Sequence, residues 1–233
     1  MHPLIVVIIA HTAISNRKCA REGGSKATYD VFISYRVMAN TEHAKKLYNL
    51  LTNTHGLKVW MDKFCLDVGL PWEVGFTNGL VSSRIFVCLM SKNAINNETV
   101  EKQNFKHLQQ SSPCDNVLLE HRLALELYSF GYIDRIIPIL IGEKLTSTTY
   151  SNCFADGSLP KLDELPDICV TSIEKKLIEH MERECLGTPS VPNHSVRSIF
   201  EKIMSYQALC IEGEEEEAFN TAGAKIASTV AVQ

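Results

Sequence analysis

The run Asn116-Val117-Leu118-Leu119-Glu120-His121-Arg122-Leu123-Ala124-Leu125 sets an acid among apolar residues. On a helix, residues 116, 117, 120, 123, 124 and 127 share one side. Apart from Asn116 and Glu120, that side is Val117, Leu123, Ala124 and Leu127. A carboxylate on an apolar stripe is costly unless it has a partner or a task. A helix that begins near Pro113 leaves Glu120 past its first turn, so a cap or dipole role does not explain it. Two readings stand. Glu120 can have a chemical task, or it can sit half-exposed and pair with Arg36 or Arg122. Glu126 falls on the other side of the helix and is expected to be solvated.

Other chemistry is sparser. Tyr35 and Trp72 offer flat faces to an aromatic ring, and Trp72 could equally anchor its helix in the core. Arg36 could meet a phosphate or form a surface salt bridge. His107, His121 and His180 have no Asp or Ser at motif spacing, so a hydrolase triad lacks support. Neither GxGxxG nor GxxxxGK followed by Ser or Thr occurs, which disfavours a conventional dinucleotide or P-loop site. Eight cysteines form no CxxC pair and no Cys/His cluster of zinc spacing, so no metal site is expected. All eight are read as free thiols in a reducing compartment.

The chain has 233 residues and a formal net charge of −4. Without a basic excess, nucleic acid is not an expected partner. The apolar run at residues 3–10, PLIVVIIA, is too short to span a bilayer and lacks a basic leader. No other stretch approaches 18 apolar residues, so no membrane association is expected in this chain. Residues 1–27 read as a loose extension and linker, 28–209 as one domain, and 210–233 as an acidic, disordered tail with five glutamates at 212–217.

Within the domain, residues 29–35, 57–61, 84–90, 136–141 and 168–170 read as strands. Helical patterns at 41–53, 72–82, 113–130, 171–185 and 195–209 alternate with them. Thr41 is a candidate cap, and Thr171-x-x-Glu174 a capping box. Residues 91–111 read as a long loop. Pro138 argues against the fourth strand, because it removes a ladder donor. Five alternations predict a parallel α/β sheet with helices on both faces. Ligands of such sheets sit beyond the carboxyl ends of the strands, where strand order reverses.

The stretch Tyr29-Asp30-Val31-Phe32-Ile33-Ser34-Tyr35-Arg36 resembles the opening motif of TIR (Toll/interleukin-1 receptor) domains. Trp60-Met61-Asp62, then Leu66, Gly69 and Trp72, follow in the family's order. Ser83-Arg84-Ile85-Phe86-Val87-Cys88-Leu89-Met90-Ser91 is similar to its third strand. Ile136-Ile137-Pro138-Ile139 is similar to its fourth, which answers the proline objection. The resemblance covers about residues 28–205. It implies a flavodoxin-like, doubly wound five-stranded parallel sheet. It further implies a signalling protein of one of two kinds, with innate immunity as the setting.

Some members cleave the nicotinamide–ribose bond of NAD+, often when assembled. Others are non-catalytic adaptors that act by homotypic TIR–TIR interaction, especially through the loop after the second strand. Glu120 resembles the catalytic glutamate of the enzymatic group. The resemblance then implies a self-association-dependent NAD+ nucleosidase with NAD+ as substrate, no cofactor and a cytoplasmic location. Tyr35, Arg36, Trp72 and Asn116 become the substrate-binding candidates. Val37 stands where enzymatic members often have a second basic residue, and Asn116 where they often have an aromatic one, so stacking falls to Tyr35 or Trp72. In the loop 63–71, Phe64 and Leu70 are candidates for the homotypic contact.

Overall fold

A computed structural model describes residues 27–66, 69, 72–95, 104–144, 150–151, 162–211 and 216–231. β-branched and aromatic residues at Tyr29–Ser34 form strand β1. Helix α1, Val37–Asn49, follows and runs on into a π-helical turn, Leu50–Thr54. Next come β2 (Val59–Trp60), a short helix α2 (Asp62–Cys65), α3 (Trp72–Val81), β3 (Ser83–Met90) and a one-turn α4 (Lys92–Ile95). The second half holds α5 (Asn116–Ser129), β4 (Arg135–Ile141) and a small hairpin of β5 (Glu143–Lys144) and β6 (Tyr150–Ser151). It ends with α6 (Thr171–Arg183), α7 (Val196–Met204), β7 (Leu209–Ile211) and α8 (Glu216–Ala231).

Five strands form one parallel sheet in the order β2-β1-β3-β4-β7. Alternation along β1 divides the core. Val31 and Ile33 face α1 and α8, in a cluster that includes Leu47, Phe219 and Ile226. Phe32 faces the other way, among residues of α3, α5, α6 and α7. Its ring stacks 4.4 Å from Trp60 and 5.9 Å from Phe86. Gly79 is needed there. A Cβ at that position would lie 2.3 Å from the Trp60 ring. The glycine that weakens α3 as a helix is what lets the helix lie against the indole. Pro138 sits inside β4 opposite Cys88, as the fourth-strand reading required.

Several expectations are corrected. Ile168-Cys169-Val170 is not a strand. The fifth strand is Leu209–Ile211, which pairs with Ile139–Ile141. The segment after it is not a tail without structure: among its described residues, Glu216–Ala231 form a helix that buries Phe219, Ala222 and Ile226 against the sheet. Those apolar residues recur at helical spacing, but the preceding glutamates masked them. Thr41 does not cap α1, which starts at Val37; its hydroxyl donates back to the Val37 carbonyl. Glu174 forms no capping box, because Arg122 and the Asn193 amide take its carboxylate. α5 begins at Asn116 rather than near Pro113, with Asp115 as its cap. Residues 1–26 and Leu70 lie outside the described residues.

The last correction is testable by stability. Phe219→Ala should lower unfolding free energy by roughly 3–5 kcal/mol, the usual cost of truncating a buried Phe. Urea denaturation followed by circular dichroism reads this; an unchanged midpoint would mean that α8 does not cover the sheet.

Candidate active site

The chain leaves β1, pairs β2 on one side of it, and then returns to place β3 on the other. Strand order therefore reverses between β1 and β3, and their carboxyl ends open the crevice where such sheets bind ligands. Ser34, Tyr35 and Arg36 lie at the β1 end. Ser91 and Ala94 lie beyond β3. Glu120 approaches from α5.

Glu120 is 8% exposed. The Ser34 hydroxyl donates to its Oε2 at 2.5 Å. Neither arginine proposed as its partner reaches it. Burial pushes the Glu120 carboxyl up to about 8; the Ser34 bond opposes that rise, Asp62 and Asp115 add to it, and Arg36 works against it. With α5 starting at Asn116, Glu120 still falls beyond the first turn, so the helix end gives it little help. The stripe argument foresaw a carboxylate in apolar surroundings. It did not foresee that the partner would be a neutral hydroxyl.

Arg36 is consumed by structure. Its Nε donates to the Ala94 carbonyl at 3.0 Å, and its two terminal nitrogens donate to Asp115 at 3.0 and 3.2 Å. The guanidinium lies 4.3 Å from the Phe105 ring centroid. Asp115 in turn accepts from the Leu118 amide and caps α5. One ion pair thus ties the end of β1 to the segment after β3 and to the helix that carries Glu120. Tyr35 is also buried, and its hydroxyl donates to Asp62 Oδ1 at 2.7 Å, pinning the start of α2. Burial first, and then the Asp62 bond, hold the phenol well above its ordinary pKa. Asn116 is exposed on the first turn of α5, one turn before Glu120. Trp72 opens α3, but its side chain lies outside the described residues.

Ser34, Asp62 and Asp115 were missed. The available signals were a hydroxyl directly after the apolar run Val31-Phe32-Ile33 and an Asp directly before a helix. Glu126 was misread: it is 1% exposed, not solvated. Arg122 bonds Glu126, Glu174 and the Val191 carbonyl. Burial acts to raise the Glu126 pKa, but bonds from Ser190 and Arg122 outweigh it and hold the carboxyl below its usual range. His121 meets the rings of Phe86 and Phe200 edge to face. Burial, then Arg36, hold its pKa down to about 3, so it is neutral. Among the described residues, no group of three His, Cys, Asp or Glu is arranged to hold a metal.

A family model described as "TIR domain" matches residues 31–163, more than half of the chain. The chain belongs to the TIR domain family. Its described residues carry the parallel five-stranded sheet that the resemblance implied. No curated protein matches the sequence. Among solved structures, the TIR domains of the activated Roq1 resistosome, which directly recognizes the pathogen effector XopQ, align at 15% identity and a TM-score of 0.47. That alignment covers 88% of this chain and 98% of the other. A metazoan TIR-STING receptor from C. gigas, in complex with 2',3'-cGAMP, aligns at 15% identity and a TM-score of 0.34, covering 61% of this chain and 33% of that one. No helix among the described residues is long and apolar enough to cross a membrane.

The Glu120 environment has a signature in stability. A carboxyl raised to about 8 from 4.5 keeps its proton longer in the folded state. Its contribution is most favourable below about pH 4.5, declines as pH rises towards 8, and is level above that. Glu120→Gln cannot lose a proton, so it should be more stable than wild type at pH 8.5, by roughly 2–4 kcal/mol. The gap should close towards pH 4.5. Urea unfolding at a series of pH values checks the slope; a constant gap would refute the buried, neutral acid.

Proposed function

We propose that this TIR domain is an NAD+ nucleosidase, with Glu120 as its catalytic carboxylate and NAD+ as substrate. The observation that carries the reading is a buried carboxyl at the switch-point crevice, held on one oxygen by Ser34 and, among the described residues, in no ion pair. Cleavage breaks the bond between ribose C1′ and the nicotinamide nitrogen. The bonding pair leaves with nicotinamide, and positive charge develops on the ribose. An ionised carboxylate beside C1′ stabilises that oxocarbenium-like state and can accept hydrogen bonds from the ribose hydroxyls. Water then takes the C1′ position and loses its proton.

The raised pKa fits a cationic ligand. An uncompensated carboxyl favours its proton in the empty site, and the positive nicotinamide ring favours its removal. Binding and ionisation therefore reinforce each other. Tyr35 and Arg36 support the site by holding its walls. Asn116, exposed one turn away, is placed to meet the substrate's polar groups. Trp72 is a candidate stacking residue. No cofactor enters this chemistry, and the reading places the protein in the cytoplasm, where NAD+ is available.

Exposed apolar residues favour a second, compatible reading: signalling through self-association. Val37 is 57% exposed, Met38 66% and Phe64 49%. Phe64 folds partly back, its ring 4.5 Å from that of Tyr48. Without catalysis, the same surface would serve a homotypic adaptor.

Nicotinamide release from NAD+ by concentrated protein tests the enzyme. Glu120→Gln should lower the rate at least about a hundredfold while the domain stays folded. Equal rates would remove Glu120 from the site, and no release by assembled wild type would leave the adaptor. Assembly has its own test. Phe64→Glu should weaken concentration-dependent association in sedimentation velocity while the circular dichroism spectrum is kept. Unchanged sedimentation would place the contact elsewhere.

A further inference from the structure

We infer that Ser34 is the positioning residue of the Glu120 carboxylate: its hydroxyl fixes Oε2 and leaves Oε1 as the oxygen presented to a ligand. The identity of that ligand rests on the NAD+ reading above; the geometry does not. Ser34 is the last residue of β1, 1% exposed, and its backbone is paired in register with Cys88 of β3. A glutamate side chain has three rotatable bonds. A 2.5 Å bond from a hydroxyl carried by a paired strand selects one of its rotamers.

Nothing else among the described residues does this. Arg36 is spent on Ala94 and Asp115, and Arg122 on Glu126, Glu174 and Val191. Oε1 has no hydrogen bond, yet it is not one of the fully enclosed atoms lacking a partner. It is the part of Glu120 through which the remaining 8% exposure can serve a ligand.

The groups around the carboxyl are few. From β1 come Ser34, Tyr35 and Arg36. Asp62 lies at the start of α2, and Asp115 and His121 on or beside α5. From β3 comes Cys88, paired in register with Ser34, its thiol held protonated by burial. Of these, Ser34 is the hydroxyl donor to the charged form. Its loss should therefore raise the carboxyl's titration point as well as loosen its orientation.

The test uses Ser34→Ala, Ser34→Thr and, in case the alanine variant does not fold, Ser34→Cys, whose thiol is a weaker donor. Protein labelled with carboxyl-13C glutamate is titrated by NMR, with the Glu120 resonance assigned by its absence from Glu120→Gln. In Ser34→Ala the Glu120 midpoint should move up by about one pH unit, with a smaller rise in Ser34→Cys and recovery in Ser34→Thr. Where nicotinamide is released, the acid limb of kcat should move with it, and kcat near pH 7 should fall about tenfold with less change in KM. An unmoved Glu120 midpoint in a folded Ser34→Ala or Ser34→Cys protein overturns the inference, even if nicotinamide release is lost. A shifted midpoint in the Ser34 variants, with no nicotinamide released by assembled wild type, upholds Ser34 and removes the NAD+ reading.

Discussion

Ten consecutive residues of α5, Leu118–Leu127, are buried, and four of them are ionisable. A helix on the surface of a sheet needs only one apolar face. This one is covered by the sheet beneath and by α3, α6 and α7 around it. Each ionisable side chain must then find a partner, lose its charge or meet a ligand. Arg122 and Glu126 satisfy each other with Glu174 and the backbone of the α6–α7 connection. His121 is neutral between two phenyl rings. Glu120 alone is left with a neutral donor and one unbonded oxygen.

The rest of the site follows from how α5 is held. Its cap, Asp115, is also the carboxylate that grips Arg36, so the start of the helix is fixed to the end of β1 and to Ala94. Such a buried pair costs desolvation and need not add stability. Its value is geometric. A shift of α5 along its axis would break the Ser34 bond and, with it, either the cap or the ion pair. Ser34 and Arg36 leave the same strand end on either side of Tyr35, so one strand sets both the carboxylate and the helix that carries it.

The sheet and the candidate carboxylate were legible because they rest on local pattern. Tyr29–Ser34, Ser83–Met90 and Arg135–Ile141 carry β-branched and aromatic runs that few other elements could bury. Glu120 stood out against Val117, Leu123, Ala124 and Leu127. What was not legible depends on the opposite face of the same helix. Glu126 reads as solvated until α6 and α7 are folded over it. Arg36 reads as a phosphate ligand or surface cation until Asp115, 79 positions away, is brought to it. The fifth strand was misplaced because three residues, Leu209–Ile211, are too few to show a period. Only the β4 edge, filled by Ile139–Ile141, selects them.

The arrangement of charge also bears on why a neutral hydroxyl holds Glu120. An arginine in the place of Ser34 would keep the carboxyl ionised in the empty site, but it would spend that charge before any ligand arrived. Its attraction would be equal in ground state and transition state and would lend nothing to the reaction. A serine orients the carboxyl at small electrostatic cost and leaves its charge uncompensated. In the proposed reaction the full interaction with a cation would then be realised when positive charge is present in the crevice, and most when that charge moves onto the ribose. Burial strengthens the same interaction by excluding water from around it. The position that makes Glu120 expensive to the fold is the one in which a developing cation would be stabilised most.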